Sequence, residues 1–260
     1  MRHFLTVMAV VAVCAVGARA DLVESFEGVG LPPGWTLGGG SVGGVSGAVV
    51  NLSPTAGAQF GFIDSTGTTA GALFATEGSI LLSPVFTLGA GDTLTMDLNF
   101  LTNDGGGFND YAIVELLFFG LPVATLFSAQ TKSEGGPDVV PAASPLLALT
   151  AGVVLTPLTV GDFDGTATGF LGGVVYGPGR FGGGPGGSTG WIRSSYVVPV
   201  GLSYQLRFLV SDVGDTGIES GLAFDNIDTL VPEPGMSTLV GLGLLALRWR
   251  LRRRTATAGR

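Results

Sequence analysis

The chain has 260 residues and a formal net charge of −8, and its only cysteine and only histidine, Cys14 and His3, both precede residue 21. The rest of the chain therefore excludes a disulfide, a Cys/His zinc site and a nucleophile–base pair built on either residue. Between residues 21 and 230, four basic residues stand against nineteen acidic ones, a formal charge of −15 that excludes nucleic acid as a partner.

The first twenty residues have the three parts of a secretory signal peptide. Arg2 lies in a basic start, residues 4–16 are apolar, and Ala18 and Ala20 form an A-x-A cleavage site. We expect residues 1–20 to be removed when the chain is exported across the inner membrane.

Residues 21–230 have the pattern of one all-β domain. Short runs of alternating polarity recur between Gly, Pro, Asn and Asp, and no apolar period of 3.6 residues persists for three turns. Thr93–Phe100 alternates throughout, which predicts a strand with one face in the core and the other in water. Tyr111–Phe119 is apolar on both faces except at Glu115, as expected of a central strand. These features predict a β-sandwich.

The opening of this domain contains Phe26-Glu27, a predicted turn at Pro33-Gly34 and then Trp35, a large side chain suited to anchor the edge of a sandwich. Here the chain resembles the cleaved-adhesin or choice-of-anchor modules of surface proteins. The resemblance implies a single jelly-roll β-sandwich. Further matching pieces lie at residues 80–84, 108–111, 211–216 and 224–227.

Two segments depart from the strand pattern. Ser128–Pro145 contains the only lysine and three prolines and predicts a loop or insertion. Gly177–Gly190 is rich in glycine and predicts a flexible surface loop. No helix beginning with Lys-Ser or Lys-Thr follows, which argues against a phosphate-binding loop.

Acidic side chains cluster near the end of the domain and permit two interpretations. Hard oxygen ligands on loops are those that Ca²⁺ takes, which makes this cluster a candidate calcium site. Asp, Asn and Gly are also the residues that tight β-turns select, so the same cluster fits solvated turns. The candidate ligands are Asp212, Asp215, Glu219, Asp225 and Asn226.

The last predicted strand changes its apolar phase. Leu222 and Phe224 share one face, whereas Asp225 and Ile227 share the other. Either a bulge lies at Asp225-Asn226 or a carboxylate points into the sandwich, where an unpartnered charge is costly. We predict that Asp225 is held by a cation or by backbone N–H groups.

The residues favour binding over catalysis. Without histidine in the domain, the remaining route to catalysis is a carboxylate pair of the glycosidase type, and nineteen acids single out no such pair. Trp35 and Trp191 are candidates for stacking on a sugar ring, although most aromatic residues of a sandwich belong to its core. The alternative to a non-catalytic module is a carbohydrate-active enzyme or lectin.

The C-terminal end has three parts in order. Val231, Pro232, Glu233 and Pro234 precede an uncharged apolar run, and an arginine cluster follows it. At these residues the chain resembles the PEP-CTERM sorting signal, which implies processing by the membrane protease exosortase. The run is Gly235–Leu247, and the cluster is Arg248, Arg250, Arg252, Arg253 and Arg254.

The length and the charge of the tail also favour a membrane segment. A helix continued through Leu251 is about 25 Å long, a marginal transmembrane span against a hydrocarbon core of about 30 Å. The arginines would stay in the cytoplasm with residues 255–260, which places everything before Val231 outside. An uncleaved tail anchor is the alternative. The sequence thus predicts an exported component of the cell surface or the extracellular matrix of a biofilm, with exopolysaccharide or surface proteins as partners.

Overall fold

The computed structural model describes residues 22–28, 30–38, 53–65, 75–102, 108–131, 137–139, 148–158, 187–214 and 220–230. Over these ranges the secondary structure is β throughout, and no helix occurs in them. The predicted all-β class is therefore confirmed for this part of the chain.

Thirteen strands are described, and their paired neighbours are antiparallel. They are β1 Thr36–Gly38, β2 Gly61–Asp64, β3 Glu77–Leu82, β4 Phe86–Leu88, β5 Thr93–Thr102, β6 Tyr111–Phe118, β7 Leu121–Thr131, β8 Pro137–Val139, β9 Val154–Pro157, β10 Gly187–Ser188, β11 Ile192–Val197, β12 Leu202–Asp212 and β13 Ser220–Leu230.

The strands form two sheets. The seven-stranded sheet has the order β1-β3-β12-β6-β7-β8, and β4 also pairs with β12. The six-stranded sheet has the order β2-β13-β5-β11-β9, and β10 also pairs with β5. Because neighbouring strands of each sheet are mostly distant in sequence, each layer combines strands from early and late parts of residues 36–230.

The core lies between the two sheets and is centred on aromatic rings. Phe208 of the seven-stranded sheet and Phe224 of the six-stranded sheet lie 4.5 Å apart between ring centroids. Trp35 packs on both, and Phe26 contacts Trp35 and Phe224 edge to face. The two layers therefore share one apolar interior, as the predicted sandwich requires.

The turn predicted before Trp35 is confirmed. The Trp35 N–H donates to the Pro32 carbonyl at 3.2 Å, and Gly34 has a φ of 83°. This left-handed conformation favours glycine. The turn directs Trp35 into the core, where its side chain closes the edge of the sandwich beside β1.

The predicted pattern of β6 is confirmed, and that of β5 needs a correction. β6 lies between β12 and β7, as a strand apolar on both faces should. On the face of β5 expected to contact water, Thr93 and Thr95 are partly exposed as predicted, whereas Asp97 and Asn99 are fully buried. The alternating pattern predicted the two faces of β5 correctly. The outer face is covered in part by a loop, residues 53–60, and by the hydrogen bonds that hold this loop.

The segment Ser128–Pro145 is also partly regular. β7 continues through Thr131, and β8 pairs with its end from Ala129↔Val139 to Thr131↔Pro137. Backbone pairing along an edge thus overrides the loop signal of the prolines there. Of the predicted glycine-rich loop, β10 and residues 189–190 are described, and residues 177–186 lie outside the described part of the chain.

Candidate functional site

A β-bulge lies where the apolar phase of β13 changes. The register of β13 against β5 shifts between Asp225 and Asp228, and Asn226 has a φ of 48°. The extra residue lets Phe224 and Ile227 both point into the core, although they are three positions apart. Asp225 is left on the outer face of the six-stranded sheet.

The carboxylate of Asp225 is fully buried and held by backbone N–H groups, as predicted. Oδ2 accepts hydrogen bonds from Thr55 N at 2.7 Å, Thr55 Oγ1 at 2.9 Å and Ala56 N at 2.9 Å. Oδ1 accepts one from Asn226 N at 2.7 Å. Burial raises the pKa of Asp225, and these hydrogen bonds oppose that rise in part.

Asp97 is the neighbour of Asp225 on β5 and is also fully buried. Arg193, its neighbour on β11, donates to it twice, with Nε–Oδ1 at 2.7 Å and Nη2–Oδ2 at 2.8 Å. Asn226 Nδ2 adds a longer contact of 3.3 Å to Oδ2. The hydrogen bond with Asp97 raises the pKa of Arg193, so the guanidinium stays charged.

These polar side chains hold a loop, residues 53–60, over the sheet. Asp225 binds the loop at residues 55 and 56, and Glu27 accepts bonds from the N–H groups of Ala58 and Gln59. Trp191 Nε1 donates to the Ser53 carbonyl at 2.8 Å. The loop is thus held by two carboxylates and an indole. Its position explains why Asp97 and Asn99 on the outer face of β5 are buried.

A second group of polar residues lies at one end of the sandwich. Asp110 accepts bonds from Val213 N at 2.9 Å and from Ser220 Oγ at 2.7 Å. Asp212 is fully buried, and its backbone carbonyl accepts a hydrogen bond from Thr76 N. These contacts join the first residues of β3, β6 and β13 to the end of β12.

The predicted calcium ligands are only partly described. Asp212 lies in the seven-stranded sheet, whereas Asp225 and Asn226 lie in the other sheet, with Asp225 engaged by the loop. Asp215 and Glu219 lie outside the described residues. Within the described ranges no three acidic side chains come together in a way that could hold a metal ion. The calcium site stays a prediction, and Asp212, Asp225 and Asn226 are its described members.

Both candidate stacking residues are buried. Trp35 is 6% exposed and belongs to the core, and Trp191 is 4% exposed beneath the 53–60 loop. Trp191 also packs edge to face on Phe60 at 5.8 Å. Since neither indole offers a ring face to solvent, their positions argue against the sugar-stacking role.

The targeting segments fall outside the described residues. These are the signal peptide with Ala18 and Ala20, the motif Val231–Pro234 and the arginines from 248 to 254. Over the ranges that are described, the chain forms no helix that is both long and apolar enough to span a bilayer.

Sequence reasoning missed most of the polar layer. It singled out Asp225, but the partners Asp97 and Arg193 were not selected, nor was Glu27. One signal was present, because Asp97 occupies an outward position of the alternating strand and Arg193 is one of only four basic residues in the domain. Their pairing depends on the strand order β5-β11, which the sequence alone does not determine.

No family model and no characterised relative matches the sequence. Among solved structures, the K1 cleaved adhesin domain of Lys-gingipain from Porphyromonas gingivalis W83 is similar at 14% identity and a TM-score of 0.42, covering 82% of this chain and 98% of that domain. The K3 domain of the same protein matches at 14% identity and a TM-score of 0.39, covering 82% and 100%. Similarity at this level establishes neither a shared fold nor a shared function.

Proposed function

We propose that this protein is an exported, non-catalytic component of the cell surface or extracellular matrix. Its domain folds outside the inner membrane, and the tail beginning at Val231 holds it there until exosortase processes the Val231–Pro234 motif. Its jelly-roll-like sandwich then serves as a binding or structural module. Exopolysaccharide and neighbouring surface proteins are its partners.

The observation that carries the non-catalytic assignment is how the fold uses its carboxylates. Catalysis without histidine or cysteine would need a carboxylate pair facing a cleft. Instead, Asp97 is neutralised by Arg193, Asp225 and Glu27 hold the 53–60 loop, and Glu115 pairs with Arg207. Side chains occupied in this way support a structural role, because their hydrogen-bonding positions are already taken.

The charge of the domain and the burial of its tryptophans also determine which partners we propose. A domain with a formal charge of −15 is repelled by anionic polymers unless cations intervene. Neutral polysaccharides and cationic protein surfaces are therefore the favoured ligands. Because Trp35 and Trp191 are buried, recognition of a sugar would rest on hydrogen bonding by loops.

Incubation of the detergent-solubilised full chain with exopolysaccharide from the producing cells tests this proposal. We expect the polymer to retain the protein in co-sedimentation, while size-exclusion chromatography shows an unchanged polymer length after prolonged incubation. Progressive shortening of the polymer, absent with heat-unfolded protein, would show an enzyme and overturn the proposal. If polysaccharide and surface proteins both fail to retain the protein, and the polymer is not shortened, this result contradicts the binding role.

A further inference from the structure

Exposed apolar side chains gather at one end of the sandwich. Phe119, at the tip of the β6–β7 hairpin, is 89% exposed, and Leu121 beside it is 69% exposed. Four more large apolar side chains at this end are more than half exposed. We name the whole set the apolar end, and it consists of Val85, Phe119, Leu121, Val197, Val200 and Leu230.

Strand register places these residues together. In the six-stranded sheet, Thr93 pairs with both Val197 and Leu230. In the seven-stranded sheet, Leu202 pairs with Leu88 at the same end. The two sheets are joined there by the short connections 89–92 and 198–201. These connections bind each other, with Gly91 N to Val198 O at 2.8 Å and Val198 N to Asp92 O at 2.9 Å.

The hairpin tip completes this end. Phe118 pairs with Leu121, and Phe119 lines an apolar groove of about 500 Å³ with Val85 and Leu202. In the described segments 85–92, 117–124, 196–204 and 229–230 the one charged residue is Asp92, which is 2% exposed and accepts a hydrogen bond from Gly89 N. The opposite end carries the partly buried Glu77 together with Asp110 and Asp212, both of which are fully buried.

The aromatic residue at the tip occupies a position that its type disfavours. Phe119 and Gly120 have φ values of 50° and 77° and form a two-residue hairpin loop. Turns of this kind, with φ positive at both positions, favour Asn-Gly or Gly-Gly. The Phe119 ring contacts Phe118 at 4.4 Å between ring centroids, yet the residue is 89% exposed. A phenylalanine so exposed in left-handed backbone favours a further contact of the ring outside the domain.

The chain leaves the domain at this same end. Only residues 231–234 separate Leu230 from the uncharged apolar run that begins at Gly235. Five Cα steps extend at most about 18 Å, and the head-group layer on one side of a bilayer is about 6 Å thick. Once the apolar run is inserted, the apolar end cannot be far from the lipid.

We propose that the apolar end rests on the lipid surface, with Phe119 and Val200 inserted among the head groups while the tail is embedded. An apolar surface whose one charged side chain, Asp92, is buried suits such an interface. This inference rests on the membrane anchor of the proposed function. It adds a second, reversible membrane contact made by the folded domain itself.

Site-specific fluorescence tests this contact. The full chain with Cys14→Ser has no cysteine, so single Val200→Cys or Asn109→Cys variants accept an environment-sensitive label at the apolar or the opposite end. Each labelled chain is reconstituted into phosphatidylcholine vesicles containing nitroxide-headgroup lipid. We expect at least about threefold stronger quenching at position 200 than at 109, since interfacial groups enter about 5–10 Å into the bilayer.

A matched variant separates lipid contact from folding. Phe119→Asn places the preferred residue at the left-handed position, so the melting temperature should stay the same or rise. Quenching of the position 200 label should nevertheless fall, because the inserted ring is lost. Unchanged quenching in this variant would contradict the role of Phe119.

Failure of the inference and failure of the anchor give different results. If the chain floats with vesicles but both labels remain unquenched, the lipid contact is wrong and the anchor stands. A blue shift at position 200 that grows with protein concentration without lipid quenching would show a second copy on this surface and also overturn the inference. Flotation of the Phe119→Asn chain without residues 1–20 that survives Leu242→Arg with Leu245→Arg would instead contradict the tail anchor, because the other apolar segment and the inserted ring are then absent.

Discussion

Asp97 and Asp225 lie opposite each other on strands β5 and β13, and each fully buried carboxylate is stabilised by a different set of donors. Asp97 is paired with the guanidinium of Arg193, whereas Asp225 is held by N–H and hydroxyl groups of the 53–60 loop. Two neighbouring buried carboxyl groups are tolerated because each accepts several hydrogen bonds. The outer face of the sheet thus acts as a structural layer.

Removing Arg193 should leave Asp97 buried without its counter-charge. We expect Arg193→Gln to lower the free energy of unfolding by about 2–3 kcal/mol, less than for a fully buried pair because the arginine is partly exposed. Asp97→Asn in the same chain should recover part of this loss. Arg207→Gln is the control and should lose about 1 kcal/mol, because its partner Glu115 is 13% exposed whereas the Asp97 side chain is fully buried. Urea unfolding of the native chain and of these three variants measures the changes. Equal losses of unfolding free energy for Arg193→Gln and Arg207→Gln would contradict the burial argument.

The raised pKa of Asp225 predicts a specific pH dependence. The folded state keeps the Asp225 proton to higher pH than the unfolded state, whose pKa is near 3.8. The contribution of Asp225 to stability is therefore fully present below pH 3.8 and is lost as pH rises through the folded pKa. Relative to Asp225→Asn, which does not titrate, the native chain should become less stable over that interval. A difference that instead favours the native chain increasingly as pH rises, in urea unfolding from pH 3 to 8, would contradict this account.

The indole of Trp191 should matter for stability and not for ligand binding. Trp191→Phe keeps a ring against Phe60 but removes the donor to the Ser53 carbonyl. We expect a loss of about 1 kcal/mol in the free energy of unfolding, the worth of one hydrogen bond. Retention on polysaccharide should be unchanged. If Trp191→Phe still melts cooperatively but is no longer retained on polysaccharide, Trp191 stacks on the ligand and the structural assignment is wrong.

The calcium prediction concerns Asp212, Asp215, Glu219, Asp225 and Asn226. If these residues hold Ca²⁺, excess calcium should raise the melting temperature of the native chain, and chelation should lower it. Asp215→Asn should reduce this response, whereas Asp138→Asn, a change outside the predicted ligand set, should leave it intact. If neither calcium nor chelator changes the melting temperature, the calcium prediction is wrong and the interpretation as solvated turns is favoured.

The sequence predicted features that depend on local pattern. Alternation located β5, the two-sided apolar run located β6, and the change of phase located the bulge at Asp225. Each of these follows from side-chain periodicity along a single strand. The Pro33-Gly34 turn was predictable for the same reason, since its conformation is set by neighbouring residues.

Features that depend on pairing between distant segments were not predictable. Asp225 binds Thr55, which is 170 residues away, and Arg193 reaches Asp97 only because β11 lies beside β5. The burial of Trp191 likewise depends on the 53–60 loop crossing the sheet. Register and strand order decide such contacts, and an isolated sequence leaves both open.

Export and sorting through the tail form the central claim, and intact-mass analysis of the protein from its native cell envelope tests them most directly. We predict a chain that begins at Asp21 and ends near Pro234, or a heavier species that carries a lipid or glycan at that end. A chain that continues to Arg260 would contradict sorting and leave a plain membrane anchor.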